Sequence, residues 1–237
     1  MIRDGLAPGW AEVVNTATPW EPSDGPVLVV VPHPDDESLM FGGVLARCAM
    51  RGVPVHLLAV TDGEAAYPGV GDAGSLARLR RLEQRCAVAE LGLSGATVTR
   101  LGIPDGRVCD HDDLLADSVA RIAADERCRS VLTPWEHDHH TDHEACGRAV
   151  NRARRAPTSS FTVVSGLFWS MLREPAPPGV VLAALELTSV ELERKAAAIR
   201  CHRTQVDRIV SGDPVLGDRE LALGRRRAEY VILERQA

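Results

Sequence analysis

Several apolar runs in this 237-residue chain lack any alternation of polar and apolar residues. The clearest of these runs are Pro26–Val31 and Val53–Val60. Apolar residues at helical spacing follow each of them, at Ser38–Arg51 and Ser75–Gly92. Continuous apolar strands are typical of parallel sheets that helices cover on both faces. We therefore predict an α/β fold, Rossmann-like, with a mostly parallel sheet in a three-layer α/β/α arrangement.

The alternation of strands and helices continues along the chain without an internal repeat or a domain linker. Further strands are predicted at Ala96–Leu101, Ser130–Thr133, Phe161–Trp169, Val180–Leu187 and, as an edge strand or docked terminus, Ala228–Leu233. Further helices are predicted at Asp112–Asp125, from the end of a histidine-rich loop to about Arg155, and at Ser189–His202. Residues 1–25 are predicted to form an N-terminal arm on a single domain that spans residues 1–237.

Helix ends and faces also follow from the sequence. Ser75 is the predicted N-cap of its helix, and Leu79 and Leu82 are among the residues predicted to face inward on that helix. Thr188 and Glu191 have the spacing of a capping box, in which each side chain bonds the backbone N–H of the other residue.

Charge and cysteine content restrict the class of protein. The net charge of −6 gives no broad basic field, so we expect neither a nucleic acid nor a membrane as partner. The six cysteines form no CxxC pair and no dense disulfide framework, and a reducing compartment is expected. Without a signal-like or membrane-spanning apolar run, the chain is predicted to be cytoplasmic. Small-molecule enzymes and sugar-binding proteins both remain open.

Two polar clusters directly follow predicted strands. Pro32–Glu37 contains one imidazole and three carboxylates, a concentration of negative charge that a divalent cation would neutralise. Pro134–His143 contains four histidines with two interleaved aspartates. Ligands of doubly wound sheets bind at the carboxyl ends of the strands, so these clusters are expected to meet in one crevice with Thr61–Glu64 and Pro104–Gly106.

The residue types in the two clusters suit a catalytic zinc, which takes about three nitrogen or oxygen ligands and leaves one position for water. His33 and Asp36 can supply two ligands, and the second cluster can supply the third. The interleaved Asp138 and Asp142 fit the carboxylate–histidine pairing that fixes a ring tautomer. Zinc lowers the pKa of bound water to roughly 7, which predicts a hydrolase. Spacing leaves open which of Asp35 and Asp36 is the ligand and which is the base, and solvated surface loops are the alternative.

These residues belong to an ordered set of motifs. The set comprises Pro32-His33-Pro34-Asp35-Asp36-Glu37, Thr61-Asp62-Gly63-Glu64, Arg80-Arg81-Leu82-Glu83, Leu91-Gly92, Pro104-Asp105-Gly106, His140-Thr141-Asp142-His143 and Lys195 to His202-Arg203-Thr204-Gln205. In this order the sequence resembles the LmbE-like, or PIG-L, family of zinc-dependent N-deacetylases over roughly Val27 to Gln205. Members of that family remove acetyl or acyl groups from amino sugars in glycolipid, thiol-cofactor and antibiotic pathways.

The resemblance implies a role for each matched position. Three residues match the ligands of one zinc ion per chain: His33, Asp36 and His143. Iron, cobalt or nickel would also be accepted by these ligands. Asp35 would be the general base that activates the metal-bound water. His140, as an imidazolium, would polarise the amide carbonyl, and Asp142 would orient it.

Four further positions carry weaker implications. By similarity, Arg80 and Asp105 face the substrate and hold sugar hydroxyls or a phosphate, although a helix-surface arginine and a turn aspartate are the alternatives. Glu37 is expected to support the metal ligands from behind. Thr204 stands where serine is more usual in the family, which puts a minor contact in doubt.

The predicted function is therefore removal of an N-acetyl or N-acyl group from a small amino-sugar conjugate by attack of metal-bound water. The alternatives are an amidase or deacylase for a larger thiol-cofactor conjugate or antibiotic scaffold, and a non-catalytic sugar-binding module. A homo-oligomer stays open. The loops after Glu64 and Arg155 are predicted to select the substrate. Trp135, Phe168 and Trp169 are either sugar-stacking residues or core residues.

Overall fold

The computed structural model describes residues 5–67, 72–157, 159–207 and 214–234. The strands in these ranges are β1 (Thr18–Pro19), β2 (Val27–Val31), β3 (Val55–Ala59), β4 (Thr97–Arg100), β5 (Ser130–Pro134), β6 (Thr162–Gly166), β7 (Ala183–Glu186) and β8 (Ala228–Glu234). They form one eight-stranded sheet in the order β1-β7-β8-β6-β5-β2-β3-β4, in which only β8 is antiparallel to its neighbours. The predicted α/β class with a mostly parallel sheet is confirmed.

Helices cover both faces of this sheet. Those in the described ranges are α1 (Trp10–Asn15), α2 (Asp36–Met50), α3 (Ala73–Glu90), α4 (Asp112–Asp125), α5 (Thr141–Arg154), α6 (Trp169–Arg173), α7 (Ser189–Cys201), α8 (Arg203–Val206) and α9 (Asp218–Gly224), and a 3₁₀ turn at Val108–His111 precedes α4. The predicted capping box of α7 is confirmed, since the Thr188 hydroxyl accepts from the Glu191 N–H and the Glu191 carboxylate accepts from the Thr188 N–H.

Strand β2 shows why the sheet lies in the middle of the molecule. Val27, Val29 and Val31 pack with residues of α2, α3 and α7 on one face. Leu28 and Val30 pack with α4 and α5 on the other face. All five side chains are buried, and each contributes about 1.5–3 kcal/mol through removal of apolar surface from water. The continuous apolar run is thus the sequence of a strand that is covered on both sides, as predicted.

Two of the residues predicted to face inward on α3, Leu79 and Leu82, do not. Leu79 and Leu82 are 42% and 57% exposed, whereas Arg80, Glu83 and Gln84 on the same helix are buried. The reason is that α3 turns these polar residues toward a buried polar network at the carboxyl ends of the strands. Leucine spacing alone cannot distinguish a helix that covers an apolar core from one that covers such a network.

The N-cap of α3 is also different from the prediction. Asp72, and not Ser75, is the capping residue, and its carboxylate accepts hydrogen bonds from the N–H groups of Gly74 and Ser75. The helix therefore begins three residues earlier than a Ser75 cap would place it. Aspartate and serine cap equally well, so local preference could not select between them.

Strand β8, predicted as an edge strand or a docked terminus, is an interior strand of the sheet. β8 pairs antiparallel with β6 on one side and with β7 on the other. The edge position at this side of the sheet is taken by β1, from the predicted N-terminal arm, which pairs with β7. The choice depends on long-range pairing, which a single segment does not encode.

Two cysteines that are 115 residues apart in sequence form a disulfide bond between α3 and α7. Cys86 and Cys201 have a Cα–Cα distance of 5.8 Å, whereas Cys48, Cys109, Cys128 and Cys146 are free. The expectation of a reducing compartment did not include this bond, because cysteine spacing carries no information on which helices pack together.

Among the described residues, every helix is too short or too polar to cross a membrane. The loop after Glu64 and the loop after Arg155, predicted to select the substrate, lie partly outside the described residues.

Candidate metal centre

The four polar loops predicted to converge meet at one end of the sheet. Residues of three of them, and Ala65 and Ala66 directly after Thr61–Glu64, line a cleft of about 310 Å³. The polar residues of its lining are His33, Asp35, Asp36, Arg80, Asp105, His140, Thr141 and His143. Two hydrogen bonds join the loops after β3 and β4 at the edge of this cleft. The Glu64 carboxylate accepts from the Asp105 N–H at 3.0 Å, and the Asp105 carboxylate accepts from the Ala65 N–H at 2.9 Å. Convergence follows from the parallel strands, whose carboxyl ends share this edge.

Asp36 is the centre of the predicted ligand set. Asp36 is the first residue of α2. One oxygen of its carboxylate lies 3.2 Å from His33 Nδ1, and the other lies 3.2 Å from His143 Nε2. Burial by itself would raise the pKa of Asp36, but the two histidines outweigh burial and hold that pKa well below its usual value. The structure thus brings the three predicted ligands together around one carboxylate.

Each of the two histidines also contacts at least one carboxylate other than that of Asp36. Asp138 contacts His143 Nδ1 at 2.9 Å, and Asp105 and Asp142 contact His33 Nε2 at 3.1 and 3.3 Å. In each ring this contact occupies one nitrogen and leaves the other nitrogen facing Asp36. Such pairing fixes the ring orientation and raises ligand basicity in metal sites.

The partner of Asp142 differs from the prediction. Asp142 accepts hydrogen bonds from Gly106 N–H and Val108 N–H and contacts His33, and within the described ranges it makes no hydrogen bond to His140. The Asp142 side chain is buried in the first turn of α5, where the 3₁₀ turn before α4 reaches it. The motif spacing places Asp142 two residues from His140, but the helix directs its side chain elsewhere.

Asp138 is the most heavily bonded carboxylate of the site. Besides His143, it accepts from the backbone N–H groups of Phe168, Trp169 and Ser170 and from the Ser170 hydroxyl. These bonds end the segment predicted as a strand over Phe161–Trp169 and begin α6 instead. The interleaved acid was noted in the sequence, but its role at α6 was not predicted, because the two segments are distant in sequence.

Two buried nitrogens of the centre provide a test of whether a metal ion fits. His140 Nδ1 makes no hydrogen bond to any residue that the structure describes, and His143 Nε2 makes none of good geometry, although the Asp36 carboxylate lies 3.2 Å away. Ligand nitrogens of His33, His140 and His143 lie within 4.8 Å of one another. Buried polar atoms are rarely left without a partner, and imidazole and carboxylate together suit zinc and similar divalent ions. The residues present therefore fit a metal ion.

Asp35 lies beside the ligand set with an unusual backbone. Its φ angle is 132°, in a region that residues other than glycine rarely adopt. Its carboxylate lies 3.5 Å from the guanidinium of Arg80. Burial and the neighbouring Asp36 carboxylate raise the pKa of Asp35 to about 7, so its carboxyl can exchange a proton near neutral pH.

Arg80 and Asp105 both line the cleft, and most of their polar atoms already contact the protein, with Arg80 Nε left without a hydrogen bond among the described residues. The Arg80 guanidinium donates to the carbonyl oxygens of Gly63 and Pro34 at 2.6 and 3.0 Å. Asp105 contacts His33 through one oxygen and the Ala65 N–H through the other. Both side chains therefore have partners within the protein, which the prediction that they contact the substrate did not include.

The remaining histidines of the second cluster differ in position. His140 lines the cleft, whereas the His137 side chain is 65% exposed and lines a separate cavity of about 620 Å³ with His139. Burial and the neighbouring His143 and His33 lower the pKa of His140 to about 4. Burial and adjacent positive charge both oppose protonation of this ring, and the imidazolium expected from the resemblance stays a prediction.

The three aromatic candidates are also separated. Trp169 lines the cleft, with the Arg173 guanidinium 3.9 Å above its ring. Phe168 also lines the cleft, but its side chain is 1% exposed and packs in the core, and Trp135 lines the separate cavity. Trp169 is therefore the more accessible of the two aromatic residues at the cleft.

Glu37 and Glu83 belong to a buried polar network next to the cleft. The Glu37 carboxylate lies 3.0 Å from His202 Nε2. Burial lowers the pKa of the His202 imidazole, but the carboxylate has the larger effect, so the pKa is raised. Glu83 accepts from the Thr204 N–H and hydroxyl at 2.9 and 2.6 Å and from the Gln205 amide. The Thr204 hydroxyl thus bonds a buried carboxylate, as a serine hydroxyl at this position could.

Comparison with known proteins places this geometry in a family. The family model described as PIG-L, GlcNAc-PI de-N-acetylase, matches residues 28–154. The protein of Bacillus subtilis (strain 168) named probable N-acetyl-alpha-D-glucosaminyl L-malate deacetylase 2 is 30% identical over 190 residues, which are 76% of this chain and 83% of that protein.

A second relative and a solved structure agree with this match. The 1D-myo-inositol 2-acetamido-2-deoxy-alpha-D-glucopyranoside deacetylase of Mycolicibacterium vanbaalenii is 29% identical over 261 residues, covering 87% of this chain and 90% of that protein. N,N'-diacetylchitobiose deacetylase from Pyrococcus horikoshii has the same fold, with a TM-score of 0.68 at 21% identity over 88% of this chain and 83% of that chain. The chain therefore belongs to the PIG-L family, as its ordered motifs predicted.

Proposed function

We propose that this protein is a metal-dependent hydrolase that removes the N-acetyl, or another N-acyl, group from a small amino-sugar conjugate. The observation that carries the proposal is the convergence of His33, Asp36 and His143 beside Asp35, whose pKa is about 7. The names of its relatives, which are deacetylases of glucosamine conjugates, support the substrate class.

His33 Nδ1, the Asp36 carboxylate and His143 Nε2 would hold the ion, one per chain. Zinc is the metal we propose, although the same donors accept iron, cobalt or nickel. When bound, the ion lowers the pKa of a water molecule and polarises the amide carbonyl. Asp138, Asp105 and Asp142 hold the two histidine rings, as their contacts at 2.9–3.3 Å support.

Asp35 is the proposed general base. Its carboxylate takes a proton from the attacking water as the new C–O bond forms at the amide carbon. The same carboxyl then returns a proton to the amide nitrogen as the C–N bond breaks, so that acetate and an amine leave. A base with a pKa near the working pH is suited to both transfers.

His140 is proposed to donate a hydrogen bond to the carbonyl oxygen of the substrate as negative charge develops there. The neutral imidazole can do this through an N–H group. The predicted substrate contacts of Arg80 and Asp105 stay predictions, while their bonds to Pro34 and His33 support a role in holding the site. Trp169 is the aromatic residue that we propose contacts the substrate in the cleft.

Two alternatives differ in their products. An amidase or deacylase for a larger thiol-cofactor conjugate or antibiotic scaffold would use the same centre and release a bulkier fragment. A non-catalytic sugar-binding module would have no use for a buried carboxyl that lies beside the ligand set without belonging to it, so Asp35 favours an enzyme. Single-domain organisation over residues 1–237, a cytoplasmic location and the absence of nucleic-acid and membrane partners stay predictions, and a homo-oligomer stays open.

A primary-amine release assay on N-acetylglucosaminides tests the proposal. The zinc-loaded protein is expected to release amine and acetate in equal amounts, and a chelator is expected to abolish turnover until zinc is restored. Bound metal near one ion per chain is expected from metal analysis. Chelator-insensitive turnover, or two ions per chain, would contradict the single-metal hydrolase, and mass spectrometry of the products separates acetate loss from loss of a larger acyl group.

A further inference from the structure

The backbone at Asp35 is held in a conformation that costs free energy. Its φ of 132° and ψ of −29° lie outside the regions that residues with a side chain ordinarily adopt. Such strain persists only where surrounding contacts over-determine it, and it is concentrated at functional sites. The contacts that hold Asp35 in this conformation therefore contribute to the geometry of the site.

Glu37 is one of these contacts. Its Oε2 lies 3.4 Å from the backbone N–H of Asp35 and also accepts from the Gln84 amide at 2.9 Å. Its Oε1 accepts from the Ser38 hydroxyl at 2.7 Å and lies 3.0 Å from His202 Nε2. The carboxylate is fully buried, so its position is set by these partners and not by water.

His202 is the partner that comes from a distant part of the chain. It lies between α7 and α8, where its carbonyl accepts from the N–H groups of Gln205 and Val206 at 2.9 and 3.0 Å. Its side chain is 1% exposed and is not part of the cleft lining. The imidazole therefore cannot reach a substrate, and its nearest functional group is the carboxylate that bonds Asp35.

On the other side of Asp35, Arg80 holds the preceding peptide. Its guanidinium donates to the Pro34 carbonyl at 3.0 Å and approaches the Asp35 carboxylate at 3.5 Å. The Asp35 carbonyl also accepts from the Ser38 and Leu39 N–H groups at 3.0 and 2.9 Å, within the first turn of α2. The contacts from outside that turn are those of Arg80 and of the Glu37 carboxylate with the Asp35 N–H. Only the second contact depends on the α7–α8 corner.

We propose that His202 is a positioning residue which, through Glu37, holds the main chain of Asp35 in its strained conformation and so keeps the Asp35 carboxylate in the cleft. The inference rests on the proposed function for the role of Asp35 as base. It adds that the α7–α8 corner, which contributes no residue to the ligand set, sets the geometry of proton transfer.

Two variants of His202 and one matched control test this. His202→Gln keeps an N–H donor near the position of Nε2, whereas His202→Leu removes it. His56→Leu is the control, because His56 is also buried and bonded to a hydroxyl, that of Thr99, but lies in β3 and has no contact with Asp35. All are measured in the zinc-loaded full chain with N-acetylglucosaminide as substrate.

The expected result is a kcat that falls roughly 10–100-fold in His202→Leu, with KM and bound zinc within about twofold of the wild type. His202→Gln is expected to keep kcat within about threefold, and His56→Leu to keep it within about twofold. A core-filling role would instead predict similar behaviour of His202→Leu and His56→Leu. Wild-type kcat in folded His202→Leu, or a loss explained wholly by lost zinc, would overturn the proposal.

Hydrogen–deuterium exchange at the Asp35 amide provides a readout that needs no substrate. Exchange is expected to be at least about tenfold faster in His202→Leu than in the wild type and in His202→Gln. Unchanged exchange would overturn the proposal. If the wild type fails to deacetylate any substrate while exchange responds as expected, the proposed function fails and the positioning inference stands. Should His202→Leu not fold, Glu37→Gln is measured in its place with the same expected directions.

Discussion

His143 and His56 are both buried histidines with one ring nitrogen that makes no hydrogen bond within the described residues, but their surroundings are opposite. His143 has Asp138 at 2.9 Å and Asp36 at 3.2 Å. His56 has the Thr99 hydroxyl at 2.8 Å, and its nearest carboxylate is the exposed Glu126 at 3.7 Å. Burial opposes protonation of both rings, and only around His143 do carboxylates outweigh it and raise the pKa, to about 9. The pKa of His56 is lowered.

The difference teaches that a buried histidine becomes a candidate ligand through its place in the fold. His143 lies in the first turn of α5 and Asp36 begins α2, and both helices start at the carboxyl ends of the strands before them. His56 lies within β3, beside a cavity of about 290 Å³ at the other end of the sheet. Ligand groups converge at the carboxyl-end edge because the loops and helix starts of a parallel sheet collect there.

The largest effect is expected from Asp36→Ala, which removes the carboxylate between the two histidines. Loss of the ion removes several kcal/mol of transition-state stabilisation, so activity should fall by at least about 1,000-fold. Metal analysis after dialysis should find little bound zinc. Retention of one zinc per chain would show that the ion is held elsewhere and would break the comparison.

Asp35→Asn should lower kcat by about 100- to 10,000-fold, because the amide cannot accept the proton of the attacking water. The variant should bind zinc as the wild type does, since Asp35 is outside the proposed ligand set. Steady-state kinetics and metal analysis of the same preparation check both points. Wild-type turnover would transfer the role of base to another group.

Asp138→Asn tests the comparison more closely, because it replaces the carboxylate beside His143 with a neutral group, as the Thr99 hydroxyl is beside His56. Without the carboxylate behind its ring, His143 should bind zinc about 10–100-fold more weakly. Competition with a zinc chelator of known affinity measures this change. Since Asp138 also bonds three backbone N–H groups at α6, thermal unfolding of the variant should be measured alongside. Unchanged zinc affinity would contradict the role that we propose for this carboxylate.

The smallest effect is expected from His56→Leu. Activity and bound zinc should stay within about twofold of the wild type, and loss of the hydrogen bond to Thr99 should lower the free energy of unfolding by about 1 kcal/mol. Denaturant titration and the amine-release assay check these values. A loss of zinc in this variant would mean that the two ends of the sheet are not independent.

The sequence predicted the elements whose burial is uniform and the residues whose chemistry is local. β2 has apolar neighbours on both faces, and its continuous valine run indicates this directly. α4 spans Asp112–Asp125 as predicted, and the capping box of α7 is formed by residues three positions apart. The ordered motifs identified the family, which the comparisons confirm.

Other features depend on contacts between segments that are far apart in the chain. The polar inner face of α3, the interior position of β8 and the pairing of Cys86 with Cys201 each require knowledge of which elements pack together. The same is true of the bonds of Asp142 to His33 and of Asp138 to α6. Residue spacing fixes which groups can share a turn of helix, but not which distant group they meet.

Taken by itself, the sequence determined the chemistry available to this protein: its imidazoles and carboxylates, their order, and the α/β alternation that brings loops to one edge. Tertiary structure decided the job of each group, because a carboxylate becomes a ligand, a base or a support according to the atoms around it. Asp35 and Asp36 are neighbours with the same side chain, but Asp36 faces two histidines, whereas Asp35 faces an arginine from a strained backbone.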